Sequence, residues 1–401
     1  MNFKKADNNP LFYFKLVYLM YTHSKALIKS NGYQYQEYGV NELLNKERSS
    51  NVEILRIFAM FLIVLHHSVV HGILKNGVTN LYTDKQALAV VMSSGGKYGV
   101  GLFILITGYF LINKKSINWK SLMNLWAQVV TYAVIIYVVF VMLHLESFSV
   151  VGMVSSFLPI IFNKYWFVTN YVLIILFSPF VNTLVGLISR NRYRLLLTLM
   201  IGIWFIIPSV SPILFHTSLV IESNNLVLLL TYYLVGGYIR KFSSGLLSKS
   251  RIVVILLVVV TMVLGWILIY LHSENYYRLW YQAIAMNSVM VLVAAIATFL
   301  LVIRIPMRSI RTVNFLASTM FGVYLFHDNP LMRNWIWDVK LKLPSILNSD
   351  TNFIFWDLIY VSVVFVAGVI IEVIRKMVLE PVFSNLIATL LKKYGKPSVR
   401  E

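Results

Sequence analysis

The sequence predicts an all-α, polytopic membrane protein of about ten transmembrane helices with both termini in the cytoplasm. Three observations carry that prediction. The chain is 58% hydrophobic and only 13% charged, against a charged share of about 25% in soluble domains, and its mean hydropathy is +0.73. Apolar runs of helix length recur along nearly the whole chain, each near the roughly 20 residues needed to cross a bilayer. Basic residues alternate from loop to loop, as the positive-inside rule requires.

The first element is Asn51–His71, NVEILRIFAMFLIVLHHSVVH. It has the length of a span, yet it carries Glu53, Arg56, His66, His67 and His71, and ionisable groups at membrane depth are expensive and mark sites. At about 100° per residue, Arg56 and His67 differ by roughly 20° and share a face. Glu53 and His71 fall within about 60° of Arg56, whereas His66 points some 100° away from His67. The span therefore carries a polar stripe of Glu53, Arg56, His67 and His71 on an apolar cylinder, and that stripe belongs inside the bundle. Arg56 and His67 are roughly 16 Å apart along the axis, at about 1.5 Å per residue.

Hydropathy then gives ten candidate spans, near 52–71, 90–112, 121–144, 166–188, 193–210, 226–240, 251–271, 281–303, 312–329 and 355–377. One set of loops is basic: Lys114, Lys115 and Lys120; Arg190, Arg192 and Arg194; Arg240, Lys241, Lys249 and Arg251; Arg304, Arg308 and Arg311. The alternate loops are nearly neutral, with Glu146 and Lys164, then Glu222, then Glu274 and Arg278. This puts Arg56 near the cytoplasmic end of the first span and His67 near the outer end. Residues 1–50 form a cytosolic N-terminal extension, an interfacial helix or the product of an upstream start; the short run broken by Lys15 is not a cleaved signal. Residues 51–378 form the transmembrane domain and 379–401 a basic cytosolic tail, with Pro381–Tyr394 read as interfacial. In the segment 329–352, Trp335, Trp337, Asp338 and Lys340 read as an interface belt in preference to an acceptor-binding loop.

The formal charge of +19 is spread over short loops, so it serves topology and not nucleic-acid binding. The absence of cysteine excludes thiol catalysis, disulfides and thiolate metal sites. His67 and His71 have the spacing of two metal ligands, but no HExxH glutamate accompanies them, so no metal is expected.

Two further stretches carry candidate residues. The second span contains GGKYGVGLFILITGYF, whose glycines permit close helix packing, and Lys97 at its outer end can steady an anion or orient a carboxylate. The ninth span ends STMFGVYLFHDNP, placing His327 and Asp328 at the expected depth of His67, with Tyr324 on the face of His327. Asn170, Ser178, Asn182, Asn287 and Asn314 are accounted for by inter-helix hydrogen bonds.

Four of these stretches, NVEILRIFAMFLIVLHH, YGVGLFILITGYF, YWFVTNYVLIILFSPFVN and FGVYLFHDNP, together resemble the acyltransferase-3 family of integral membrane proteins. The resemblance runs from about Glu47 to Arg375. It implies an O-acyltransferase that moves an acyl group, most often acetyl, from acyl-CoA to a sugar hydroxyl of a surface polysaccharide or lipid-linked glycan in the cell membrane. The family's required arginine and histidine on the first helix correspond to Arg56 and His67. Where the family has Ser-Gly-Tyr, this chain has Thr107-Gly108-Tyr109, which keeps a hydroxyl. Lys114 and Lys115 lie where some members carry Arg-x-x-Arg, and with Arg56 they are the cofactor-binding candidates. Neutral imidazole is suited to taking a hydroxyl proton, so the resemblance assigns His67 as base, Arg56 to the phosphates or pantetheine of acyl-CoA, and Glu53 to orienting Arg56. His327, Lys97, Tyr324 and His71 are the substrate-binding candidates, and His327 is also a candidate for proton handling. The bilayer and a glycan or lipid-linked saccharide are the expected partners. The rival from another class is a proton-coupled transporter or flippase of a lipid-linked saccharide, which the same polar stripe would serve; a purely structural component would tolerate loss of Arg56 and His67.

Overall fold

The computed structural model describes residues 49–75, 84–215, 225–242, 285–348 and 352–394, and these are predominantly helical, with no strand among them. The elements are α1 (Ser50–Ser68), which continues as a π-turn over Val69–Ile73, α2 (Asp84–Leu111), α3 (Trp119–Met142), α4 (Val150–Phe157), α5 (Trp166–Leu187) and α6 (Arg190–Ile201), which runs through a π-turn into α7 (Ile207–Phe215). There follow α8 (Leu226–Phe242), α9 (Val289–Ile303), α10 (Arg311–Ala317), α11 (Met320–His327), α12 (Pro330–Asn334), α13 (Phe353–Val378) and α14 (Glu380–Tyr394).

Six of the described helical segments are long and apolar enough to cross a membrane: Ser50–Ile73, Leu88–Leu111, Trp119–Met142, Trp166–Leu187, Arg190–Ser211 and Phe353–Val378. They match six of the ten expected spans. Of the others, α8 is an apolar helix of 17 residues and α9 one of 15 residues, both shorter than a typical span. The expected span 251–271 lies outside the described residues, as do residues 1–48 and 395–401 of the two termini. The ninth span is not one helix. Ser318 and Thr319 turn their hydroxyls back onto Phe315 O at 2.6 Å and Leu316 O at 2.7 Å, and Lys376 Nζ donates to Ser318 O at 2.7 Å. Side-chain bonds of this kind compete with the helical ladder, and the chain divides there into α10 and α11.

The long helices turn apolar faces outward, and several charges lie inside the bundle. Phe180, Leu184 and Leu187 of α5 are 68%, 65% and 80% exposed, and Val363, Val366, Ile370 and Ile374 line one outer face of α13. A monomeric soluble protein does not present contiguous apolar surface on this scale, and lipid is its natural solvent. Buried instead are Glu53, His67, His327, Asp328, Asp357, Glu372 and Arg375.

Helix α1 is the axis of the bundle, packed against α2, α9, α10, α11 and α13. Asn51 Nδ2 donates to Val302 O at 2.7 Å and Ile305 O at 3.0 Å, adding side-chain bonds at the carbonyl end of α9. Asn182 does the same for α2, donating to Leu111 O at 2.8 Å and Lys114 O at 2.7 Å while accepting from the Tyr233 hydroxyl at 2.8 Å. Asn314 accepts from Ser50 Oγ at 2.9 Å. These are the inter-helix roles expected of Asn182 and Asn314; Asn170 instead bonds within its own helix, to Trp166 O.

Glu372 shows how the interior tolerates charge. It takes Arg375 Nε and one Arg375 Nη at 2.8 Å each, Tyr132 Oη at 2.9 Å and Gln128 Nε2 at 3.0 Å, and Arg375 reaches on to Glu380 at 2.8 Å. A buried pair holds only when such extra bonds complete it. The segment after α11 also departs from expectation. Trp337 is fully buried and packs with Leu343 over Gly72, so it anchors a cap on the end of α1 and is no interface belt. Helix α14 exposes Val382, Leu386 and Leu390 at four-residue spacing and buries Ile387, as an interfacial helix should.

Two helices cross α2 at close range because glycine removes the obstructing carbon. A Cβ on Gly99 would meet Ala59 O of α1 at 2.6 Å, and one on Gly236 of α8 would press into the α2 backbone at Leu105 and Tyr109. Gly236→Ala should therefore destabilise the protein by about 1–3 kcal/mol, read as a lower unfolding temperature in detergent. Gly202→Ala, where nothing lies within 4 Å, should leave that temperature unchanged.

Candidate active site

The site forms where the His67 end of α1 meets the end of α11, the start of α5 and the middle of α2. Directly after His67 the α-helical ladder gives way to the π-turn Val69–Ile73, a local irregularity common near functional residues. A small cleft is lined by Ile63, His66, His67, Gly96, Lys97, Val100, Trp166, Phe167 and Tyr324. Three residues singled out in the sequence, His67, Lys97 and Tyr324, thus meet there from three helices.

His67 is 8% exposed and His327 fully buried. Their rings lie 5.0 Å apart, with His67 Nδ1 at 2.9 Å from His327 Nε2. Asp328 Oδ1 is 3.5 Å from the same His67 nitrogen and 3.3 Å from the Arg333 guanidinium. His327 Nδ1 is 2.6 Å from Val323 O. His327 thus stands behind His67 and not in the wall of the opening. His71, half-buried in the π-turn, packs its ring 5.4 Å from that of His67 and is likewise absent from the lining.

Around the opening, Lys97 Nζ sits 5.7 Å from the Trp166 ring centroid, a cation–π distance. Tyr324 packs its ring edge-on to Phe167 at 5.6 Å, and its buried hydroxyl lies beside the Asp328 carboxylate. Tyr165 ties α5 to α11, donating to Leu325 O at 3.1 Å and accepting from Asn329 Nδ2 at 2.9 Å.

Arg56 and Glu53 occupy the other end of α1. The pair closes at 2.6 Å on the i, i+3 spacing, with Glu53 buried and Arg56 partly exposed, and the Arg56 guanidinium lies 5.8 Å from the Phe110 centroid. The guanidinium is bound on one side and free to reach outward, as an orienting role for Glu53 requires. Lys114 and Lys115 are exposed just past the end of α2. The structure does not bring this end into contact with His67; α1 separates them along its length.

Sequence reasoning missed four contributors. His66 was turned away from the stripe by helix geometry, yet it lines the opening because its Nδ1 is held at 2.6 Å by Ser93 O. Arg333 lay in a loop with no pattern to mark it. Trp166 and Phe167 read as ordinary span residues. The glutamate of the Glu372–Arg375 pair had a signal, an i, i+3 charge pair inside an apolar run, although its network is structural.

Residues 49–373 match the model of the acyltransferase-3 family, described as an acyltransferase domain. The chain belongs to this family. It is accordingly a multi-pass membrane acyltransferase. No curated protein and no solved structure gives a significant match to this acyltransferase-3 chain.

Donor atoms of His67, His71 and Asp328 lie within 4.8 Å of one another, so a metal must be weighed. Asp328 Oδ1 already carries the Arg333 cation and His67 Nδ1 already faces His327, so a dication taking those two atoms would have to displace both partners. Acyl transfer by the purified protein should survive exhaustive EDTA treatment. Loss of activity that zinc restores would make these three residues a metal site.

Proposed function

We propose that the protein transfers an acyl group, acetyl in the first instance, from acyl-CoA to a hydroxyl of a cell-surface or lipid-linked polysaccharide sugar. The observation that carries this reading is the position of His67 in the wall of an opening shared with Lys97 and Tyr324, inside a bundle whose exterior is apolar. A buried imidazole beside an open cavity is what proton abstraction from an alcohol needs.

In this reading His67 Nε2 takes the proton of the acceptor hydroxyl as that oxygen attacks the thioester carbonyl. The tetrahedral intermediate collapses with cleavage of the carbon–sulfur bond, and the imidazolium returns the proton to the leaving thiolate, giving the ester and free CoA. An imidazolium formed there lies 3.5 Å from Asp328, whose carboxylate favours it. Trp166 and Phe167 line the opening as aromatic surface for a sugar ring. Arg56, oriented by Glu53, and the exposed Lys114 and Lys115 suit the phosphates of the donor at the other end of α1. The pantetheine arm laid along α1 spans the distance between them. The charge pattern favours a cytoplasmic Arg56 end, where acyl-CoA is made, in the plasma membrane.

Mass spectrometry of surface glycans from cells with and without the protein should differ by one acyl group per modified sugar, and His67→Ala should erase that difference at unchanged protein level. A glycan that reaches the surface only when the protein is present, with no acyl difference, would establish a transporter instead. Orientation has its own test, since the chain contains no cysteine. Glu146→Cys should react with a membrane-impermeant maleimide on intact cells, and Ser116→Cys only after permeabilisation; the reverse pattern would invert the topology.

A further inference from the structure

We propose that His327 is a positioning residue: its hydrogen bonds to Val323 O and His67 fix the tautomer in which His67 carries its proton on Nδ1 and presents an unprotonated Nε2 to the opening. The inference rests on the reading of His67 as the base, and it deepens that reading.

The argument is a donor and acceptor account. Val323 O can only accept a hydrogen bond, so His327 Nδ1, 2.6 Å away, must carry a hydrogen. His327 is fully buried, and among the described residues its two ring nitrogens meet that carbonyl and His67. An imidazolium buried without a carboxylate partner of its own is costly, so the ring is neutral and Nε2 holds a lone pair. That lone pair is 2.9 Å from His67 Nδ1, which must then be the donor. The opposite arrangement sets two lone pairs against each other at either 2.6 Å or 2.9 Å. The second neighbour of His67 Nδ1, Asp328 Oδ1 at 3.5 Å, is also an acceptor and points the same way.

A neutral imidazole has one N–H, so with Nδ1 protonated the basic electron pair of His67 is on Nε2. The second-neighbour bond that holds a catalytic imidazole in one tautomer is the general device of acid–base sites. Here a histidine supplies it, itself locked by a backbone carbonyl one turn earlier on α11. The acceptor proton goes to His67 Nε2 and leaves from the same nitrogen; none passes to His327. The Tyr165 bond to Leu325 O fixes α11 against the helix that carries Trp166.

The test uses full-length protein in detergent or nanodiscs. His327→Ala should lower kcat roughly 10- to 100-fold with KM for the acceptor changed less than about threefold. His327→Gln, whose amide oxygen accepts from His67 Nδ1, should recover most of that loss. Nitrogen-15 NMR of histidine-labelled protein, with His67 assigned from the His67→Gln variant, should show the proton on Nδ1 in wild type and in His327→Gln. A wild-type His67 protonated on Nε2 would overturn the proposal, as would a His327→Ala enzyme whose loss is confined to KM, which would make His327 an acceptor contact. If His67→Ala keeps full activity, the base reading falls, while the tautomer measurement still decides the hydrogen-bond chain by itself.

Discussion

Most polar side chains inside this bundle find a partner within the protein, because the long helices turn apolar faces outward. That constraint organises the interior. Glu53 is answered by Arg56 on the same helix, Glu372 by groups from α3 and α13, and His67 by His327. Asn51 and Asn182 spend their amides on the exposed carbonyl ends of α9 and α2. Each of these bonds also specifies which helices are neighbours, so satisfying polar groups and fixing topology are one process. Helix α1 contributes to several of them, which is why it occupies the centre.

The same helix carries both ends of the proposed chemistry. Glycines on α2 bring it close enough to α1 that His66 and His67 reach the wall of a cavity instead of being covered by intervening side chains. Gly96 lies against His66 and Gly99 against the Ala59 carbonyl. The glycine-rich stretch thus has a packing role, and the opening beside His67 is what that packing leaves. A cationic, partly exposed Arg56 and a buried His67 stand roughly half of a hydrocarbon thickness of about 30 Å apart on this helix, the separation on which the proposed two-ended reaction rests.

Legibility tracked period and composition. The stripe on α1 was readable because helical geometry alone assigns faces, and the structure keeps Glu53 and Arg56 paired and His67 turned inward. The same rule turned His66 away, but a helix buried on several sides has more than one functional face, and Ser93 of α2 determines what His66 does. Trp337 read as an interface belt because tryptophans after a span commonly are; only the fold shows it under Leu343, sealing the end of α1. The ninth span read as continuous because hydropathy does not register that Ser318 and Thr319 turn their hydroxyls onto the helix backbone. Arg333 left no trace at all, since its meaning comes from Asp328 five residues earlier across a turn.

By itself the sequence determined that the protein is helical and polytopic, that its first span carries a polar stripe, and that His67 and His327 belong at similar depth. These follow from local quantities, hydropathy and a period of 3.6 residues. Only the tertiary structure decided that His327 touches His67 through one defined nitrogen, that Arg333 sits on Asp328, and that Trp166, Phe167 and Lys97 line the opening. Hydrogen bonds act over about 3 Å and depend on direction, so partners 260 residues apart are chosen by how helices pack, which no local pattern encodes.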